Sequence, residues 1–127
     1  MARILIIDDD PQIVKLMTAY LQREGHEVVT AADGKQGIRQ LAAQQFDLVI
    51  TDIVMPEQDG LEVLSWLRKQ PQCPKIIAIS GGSVRLDQDL MLKMARFLAD
   101  KVMPKPVDCE TLTAAVRGLL QDRAAAK

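Results

Sequence analysis

Apolar residues recur along this chain in two alternating rhythms. Short runs, RILII (3–7), EVVTA (27–31), DLVIT (47–51), KIIAI (75–79) and KVM (101–103), alternate with longer segments of helical period, and the unit repeats five times. The first helix is predicted from Pro11 to about Glu24, with Ile13, Leu16, Met17, Tyr20 and Leu21 as its apolar face. A second opens at Asp33 and carries Ile38, Leu41 and Ala42; a third runs from about Asp59 to Lys69 with Leu61, Leu64 and Leu67 inward. The fourth is expected from about Asp87 to Ala99. The last runs from Asp108 to about Asp122, with Cys109, Leu112, Val116, Leu119 and Leu120 on one stripe.

The strand runs are continuous in Ile, Val and Leu rather than alternating, which indicates burial on both faces. Strands alternating with helices imply right-handed crossovers and an α/β fold, a doubly wound parallel sheet with helices on both faces. Asp10, Asp33, Asp59 and Asp108 each precede a helical pattern as N-caps. No linker, internal repeat or low-complexity tract interrupts the pattern before the closing AAAK, so a single domain is expected over residues 1–122, with 123–127 as a short tail.

Composition narrows the field of functions. At 127 residues, 48% hydrophobic and 26% charged, the chain has the make-up of one globular domain with a substantial core. Its net charge is −1 and its 16 basic residues are scattered, which leaves no electrostatic footprint for nucleic acid. No apolar stretch approaches the roughly 20 residues of a membrane span, and MARILIIDDD is too acidic for a signal peptide. A cytoplasmic location is the expectation. Cys73 and Cys109 have no partner at metal-ligand spacing and read as free thiols; His26, in REGHEV, reads as a solvated loop residue.

The chemistry lies where the strand runs end. RILII leads into Asp8-Asp9, DLVIT into Asp52, KIIAI into Ser80 and KVM into Pro104-Lys105-Pro106. Parallel strands end along one edge, so these residues converge in one crevice. Asp10-Pro11 fits a helix cap and first helical position, but Asp8 and Asp9 have no such explanation, and a divalent cation would relieve their repulsion. Mg²⁺ takes oxygen ligands, typically one or two carboxylates with a substrate phosphate. Asp52 ends a wholly apolar strand; a carboxylate there can act as a nucleophile toward phosphorus. Ser80 is placed to donate to a phosphoryl oxygen, and Lys105 brings the compact positive charge that phosphates attract. Each feature alone has a plainer account, Ser80 as a turn residue before Gly81-Gly82 and Lys105 as a surface lysine between prolines. Together they make a cation and phosphoryl site.

With these residues in view, the sequence resembles the receiver (phosphoacceptor) domain of two-component response regulators over residues 2–122, through ILIIDDD (4–10), DLVITDIVMPEQDGLEVL (47–64), IIAIS (76–80) and KPVD (105–108). The resemblance implies a flavodoxin-like five-stranded sheet of order 2-1-3-4-5. It implies a signalling switch, catalysing only its own phosphorylation and dephosphorylation, that takes a phosphoryl group on Asp52 from a sensor histidine kinase or phosphotransfer protein. Its target would be a downstream protein or a fused output domain. Asp8, Asp9, Asp52 and the backbone carbonyl of Val54 would hold Mg²⁺, Ser80 and Lys105 would contact the phosphoryl group, and the Lys105-Pro106 bond would be cis.

Three departures from the family pattern stand out. Val102 takes the place of the Tyr or Phe whose rotation reports phosphorylation. The stretch from Ser80 to Lys105 is longer than usual, and its helix is broadly apolar (Leu90, Met91, Leu92, Met94, Phe97, Leu98). Val54 and Gly82 occupy positions where side chains orient attacking water, and neither can hydrogen-bond through its side chain. Two further readings are a pseudo-receiver that only binds protein and a Mg²⁺-dependent phosphohydrolase with an aspartyl nucleophile. The hydrolase would want an acid where Val54 stands, and a flavin carrier would want a phosphate loop where the aspartates stand.

Overall fold

The central strand of this protein is buried from end to end, including its two polar residues: Leu48, Val49, Ile50 and Thr51 are wholly inaccessible and Asp52 is 2% exposed. The computed structural model describes residues 2–53, 59–80, 93 and 98–125. Among these, the elements in chain order are β1 (Arg3–Ile7), α1 (Pro11–Arg23), β2 (Glu27–Ala31), α2 (Gly34–Ala43), β3 (Leu48–Asp52), α3 (Asp59–Arg68), β4 (Lys75–Ser80), β5 (Lys101–Pro104) and α4 (Cys109–Ala125). The five strands form one parallel sheet in the order β2-β1-β3-β4-β5, the doubly wound arrangement the sequence pattern and the resemblance imply.

Alternate side chains of the inner strands supply two cores. Leu5, Ile7, Val49, Ile53, Ile76 and Ala78 pack with Val63, Leu64 and Leu67 of α3, and Ile38 and Leu41 of α2 lean on them. Ile4, Ile6, Leu48, Ile50, Ile77 and Ile79 pack with Met17 and Leu21 of α1 and with Leu112, Ala115 and Val116 of α4. Burying each large apolar side chain contributes roughly 1.5–3 kcal/mol. These two layers hold the strand ends in place.

Helix starts follow the sequence signals. Asp10 accepts from the amides of Gln12 (3.0 Å) and Ile13 (3.5 Å), Asp33 from that of Gln36 (2.8 Å), and Asp108 from the amide of Glu110 (3.2 Å) and the hydroxyl of Thr111 (2.7 Å). The side chain of Asp59, like that of Leu61, lies outside what is described. α1 stops at a left-handed Gly25 (φ 90°), a conformation that favours glycine.

Several sequence expectations are corrected. Leu16 is 51% exposed: it lies about 100° around the helix from Met17, on the rim of the apolar face. Ala42 is exposed as well. β2 and β5 are not buried on both faces, because they are the two sheet edges: Glu27 and Thr30 are exposed on β2, Lys101 and Pro104 on β5. His26 is half-buried rather than solvated, and its Nδ1 accepts from the Ala2 amide at 3.2 Å; burial lowers its pKa below the ordinary value. α4 continues to Ala125, past the expected end near Asp122. The expected helix at 87–99 lies outside the described residues except for Lys93 and Leu98, both helical, and Ala99, which is not. Neither cysteine forms a disulfide.

α2 sits close on β1 at Gly37. A Cβ there would lie 2.3 Å from Cδ1 and 2.9 Å from Cγ1 of the fully buried Ile7. Gly37→Ala is therefore expected to cost about 1–3 kcal/mol through overpacking, against ~1 kcal/mol of helix propensity gained. Adding Ile7→Val removes the methyl in the way. Urea melts of the double variant should then show a loss smaller than the sum of the single losses.

Candidate functional site

In a sheet of order β2-β1-β3-β4-β5 the winding reverses between β1 and β3, and the crevice beyond their carboxyl ends is where such folds place ligands. β1 and β3 pair in register from Ile4↔Leu48 to Ile7↔Thr51, so the residues that follow, Asp8 and Asp52, lie side by side at this edge. Both are 2% exposed. With the exposed Asp9 they offer three carboxylate oxygens all within 4.8 Å of one another.

β5 supplies the counter-charge. Lys105 Nζ donates to Asp52 Oδ2 at 2.7 Å and lies 3.6 Å from Asp8 Oδ2. The lysine is fixed from its backbone: its amide donates to the Ser80 carbonyl (2.9 Å), and the bond to Pro106 is cis. Ser80 ends β4 opposite Pro104, half-buried, one residue beyond the Asp52↔Ile79 pair. The chain thus brings Asp8, Asp52 and Lys105 together with Asp9 close by, and places Ser80 on the same edge. Val102, on β5, is half-buried and packs against the core on the α2–α3 side. Val54 and Gly82 lie outside the described residues.

The electrostatics of this cluster are those of a site short of positive charge. Burial raises the Asp8 carboxyl above its ordinary value of 3.8; the Asp10 amide opposes that shift, the Asp52 charge adds to it, and Lys105 offsets part. Burial alone would lower the Lys105 ammonium, but the hydrogen bond and charge of Asp52, with the charges of Asp8 and Asp9, outweigh it and raise the pKa above 10.5. Asp8 Oδ1 accepts from the Asp10 amide at 2.9 Å, whereas the buried Asp8 Oδ2 has no hydrogen-bond donor. An all-oxygen donor set with a buried carboxylate oxygen lacking a hydrogen bond fits a hard divalent cation such as Mg²⁺.

One polar residue at this edge was not singled out from the sequence. Thr51 is fully buried, and its hydroxyl donates to the Asp52 carbonyl at 3.1 Å. The available signal was a hydroxyl in an otherwise apolar run immediately before Asp52.

A doubly wound parallel sheet with an acidic crevice at its switch point defines a broad class of α/β folds, and the comparisons narrow it. The response regulator receiver domain family model matches residues 4–117, and the chain belongs to that family. It is 36% identical over 121 residues to the transcriptional regulatory protein CpxR of Escherichia coli, covering 95% of this chain and 50% of that one. It is 32% identical over 119 residues to the alkaline phosphatase synthesis transcriptional regulatory protein PhoP of Bacillus subtilis, covering 94% and 48%. The chain spans about half the length of these relatives.

Among solved structures, a CheY-like receiver domain protein from Methanospirillum hungatei superposes with a TM-score of 0.86 at 29% identity, covering 100% of this chain and 99% of that one. The response regulator TrrA of Thermotoga maritima, solved in complex with Mg²⁺-BeF, superposes with a TM-score of 0.79 at 35% identity, covering 94% and 99%.

Proposed function

We propose that this chain is a phosphorylation-controlled switch that takes a phosphoryl group on Asp52 from the phosphohistidine of a partner kinase or phosphotransfer protein. One observation carries this reading: Asp52 sits on the switch-point edge with its carboxylate against Lys105 Nζ and beside two further carboxylates. In the transfer, an Asp52 oxygen attacks phosphorus, the new O–P bond forms in line as the P–N bond to histidine breaks, and the imidazole departs with the electron pair. Lys105 holds the charge of a phosphoryl oxygen, and Ser80 donates to another. Asp8 and Asp9, with Asp52 and the Val54 carbonyl, would hold Mg²⁺, which supplies charge neutralisation on the phosphoryl oxygens. The complex of TrrA with Mg²⁺-BeF supports this assignment by similarity.

The switch catalyses only its own phosphorylation and dephosphorylation. Its partners are the kinase, and a downstream protein or a fused output domain. Incubation with acetyl phosphate and Mg²⁺ followed by intact mass tests the reading: a gain of one phosphoryl group, abolished by EDTA, is expected. No adduct would favour a pseudo-receiver that only binds protein, and continuous turnover of a phosphomonoester would favour a hydrolase.

The phosphorylated form should be long-lived. Val54 and Gly82 bring no side-chain donor or acceptor to orient attacking water. After removal of acetyl phosphate, the adduct is expected to persist for minutes or longer in Mg²⁺; decay within seconds would contradict this.

A further inference from the structure

We propose that Thr51 is a positioning residue for phosphoryl transfer, acting through the backbone of Asp52; this rests on Asp52 being the acceptor. Thr51 is the only polar residue of β3 besides Asp52 itself, and it is completely buried. A hydroxyl in such a place is costly unless bonded, and this one spends its proton on the Asp52 carbonyl at 3.1 Å.

The location gives that bond a consequence. Side chains alternate along a strand, so Asp52 turns toward the crevice while Thr51 faces the α2–α3 layer with Val49 and Ile53. The chain leaves the sheet just beyond, after the Ile53 amide donates to the Ile79 carbonyl at 2.9 Å. The peptide between Asp52 and Ile53 is thus held from both its ends, by the Thr51 hydroxyl on the oxygen and by β4 on the nitrogen. That plane fixes the direction in which the Asp52 Cα–Cβ bond points. Its carboxylate must stay in line with the incoming phosphorus while keeping Lys105 at 2.7 Å. Small misplacements of a reacting group are expensive: about 1 Å can cost two orders of magnitude in rate.

Thr51→Val keeps the β-branched shape and removes the hydroxyl; Thr51→Ser keeps the hydroxyl and loses a buried methyl. A role in packing alone ranks serine below valine in every property. The positioning role reverses that order for rate. Thr51→Val should take up phosphoryl from acetyl phosphate roughly tenfold more slowly than wild type, and Thr51→Ser should stay within about twofold although it melts lower than Thr51→Val. The ¹³C shift of the Asp52 carbonyl, a reporter of its hydrogen bond, should move in Thr51→Val and return in Thr51→Ser.

A wild-type rate in Thr51→Val, equal slowing in both variants, or an unmoved carbonyl shift would overturn the proposal. Failure of the wild-type protein itself to take up a phosphoryl group would instead overturn the assignment of Asp52 and this inference with it.

Discussion

Asp8→Asn is expected to stabilise the metal-free protein while removing its response to magnesium. Asp8 is buried beside Asp52, with one carboxylate oxygen that no hydrogen bond satisfies. An ionised group in that position costs more than the Lys105 contact at 3.6 Å returns. Its carboxyl titrates above the ordinary 3.8 in the folded state, chiefly because it is buried. The stability it contributes is fully present below the unfolded value and is lost as pH rises through the folded one. Above about pH 4, the advantage of the asparagine variant should therefore widen, reaching about 1–2 kcal/mol near neutrality by urea melts in EDTA. Wild-type protein should gain stability on adding Mg²⁺, as any ligand of the native state confers, and Asp8→Asn should gain little. Loss of stability in the variant, or an undiminished Mg²⁺ response, would contradict the cation site.

Lys105→Met should do the opposite. Its ammonium is the only cation among the described residues within salt-bridge distance of Asp8 and Asp52. Removing it leaves two inaccessible carboxylates facing each other, a change expected to cost about 2–3 kcal/mol in the metal-free protein, the 22% exposure of the lysine side chain limiting the loss. The folded pKa of Lys105 is raised, so its contribution is fully present at neutral pH and fades only as pH climbs through that raised value. Added Mg²⁺ should restore more stability here than in wild type, since it supplies the missing charge. Phosphoryl uptake should nonetheless fall at least tenfold, because in the proposed transfer the lysine would also hold a phosphoryl oxygen. A variant as stable as wild type in EDTA, with unchanged uptake, would remove Lys105 from the site.

The fold was legible because its signals are periodic. Five unbroken strand runs, the helical stripes that fall within the described residues and three aspartate caps correspond to observed elements, with bounds displaced by a residue or a few. What periodicity misjudged depends on position in the finished sheet. EVVTA looks like the other strands, yet β2 is an edge, so Glu27 and Thr30 meet solvent. Leu16 shares the apolar character of Met17 but sits on the rim of the helix face. His26 looked like a loop residue, because its bond to Ala2 joins residues 24 apart in sequence.

The site was legible for a different reason. Chemically pointed residues at the ends of apolar runs can only converge if the runs are parallel strands, and the register brings Asp8 and Asp52 together as that argument requires. Thr51 escaped notice because a threonine suits a strand for reasons of shape alone. Only its burial and the direction of its hydroxyl mark it out.

The most direct test of the central claim is chemical location of the phosphoryl group. Protein treated with acetyl phosphate and Mg²⁺ is reduced with borohydride, which converts an aspartyl phosphate to homoserine with release of phosphate, and is then digested and sequenced by tandem mass spectrometry. Homoserine at position 52, and nowhere else, is the predicted result. Homoserine at position 8 or 9, or none in protein that had gained a phosphoryl group, would contradict it.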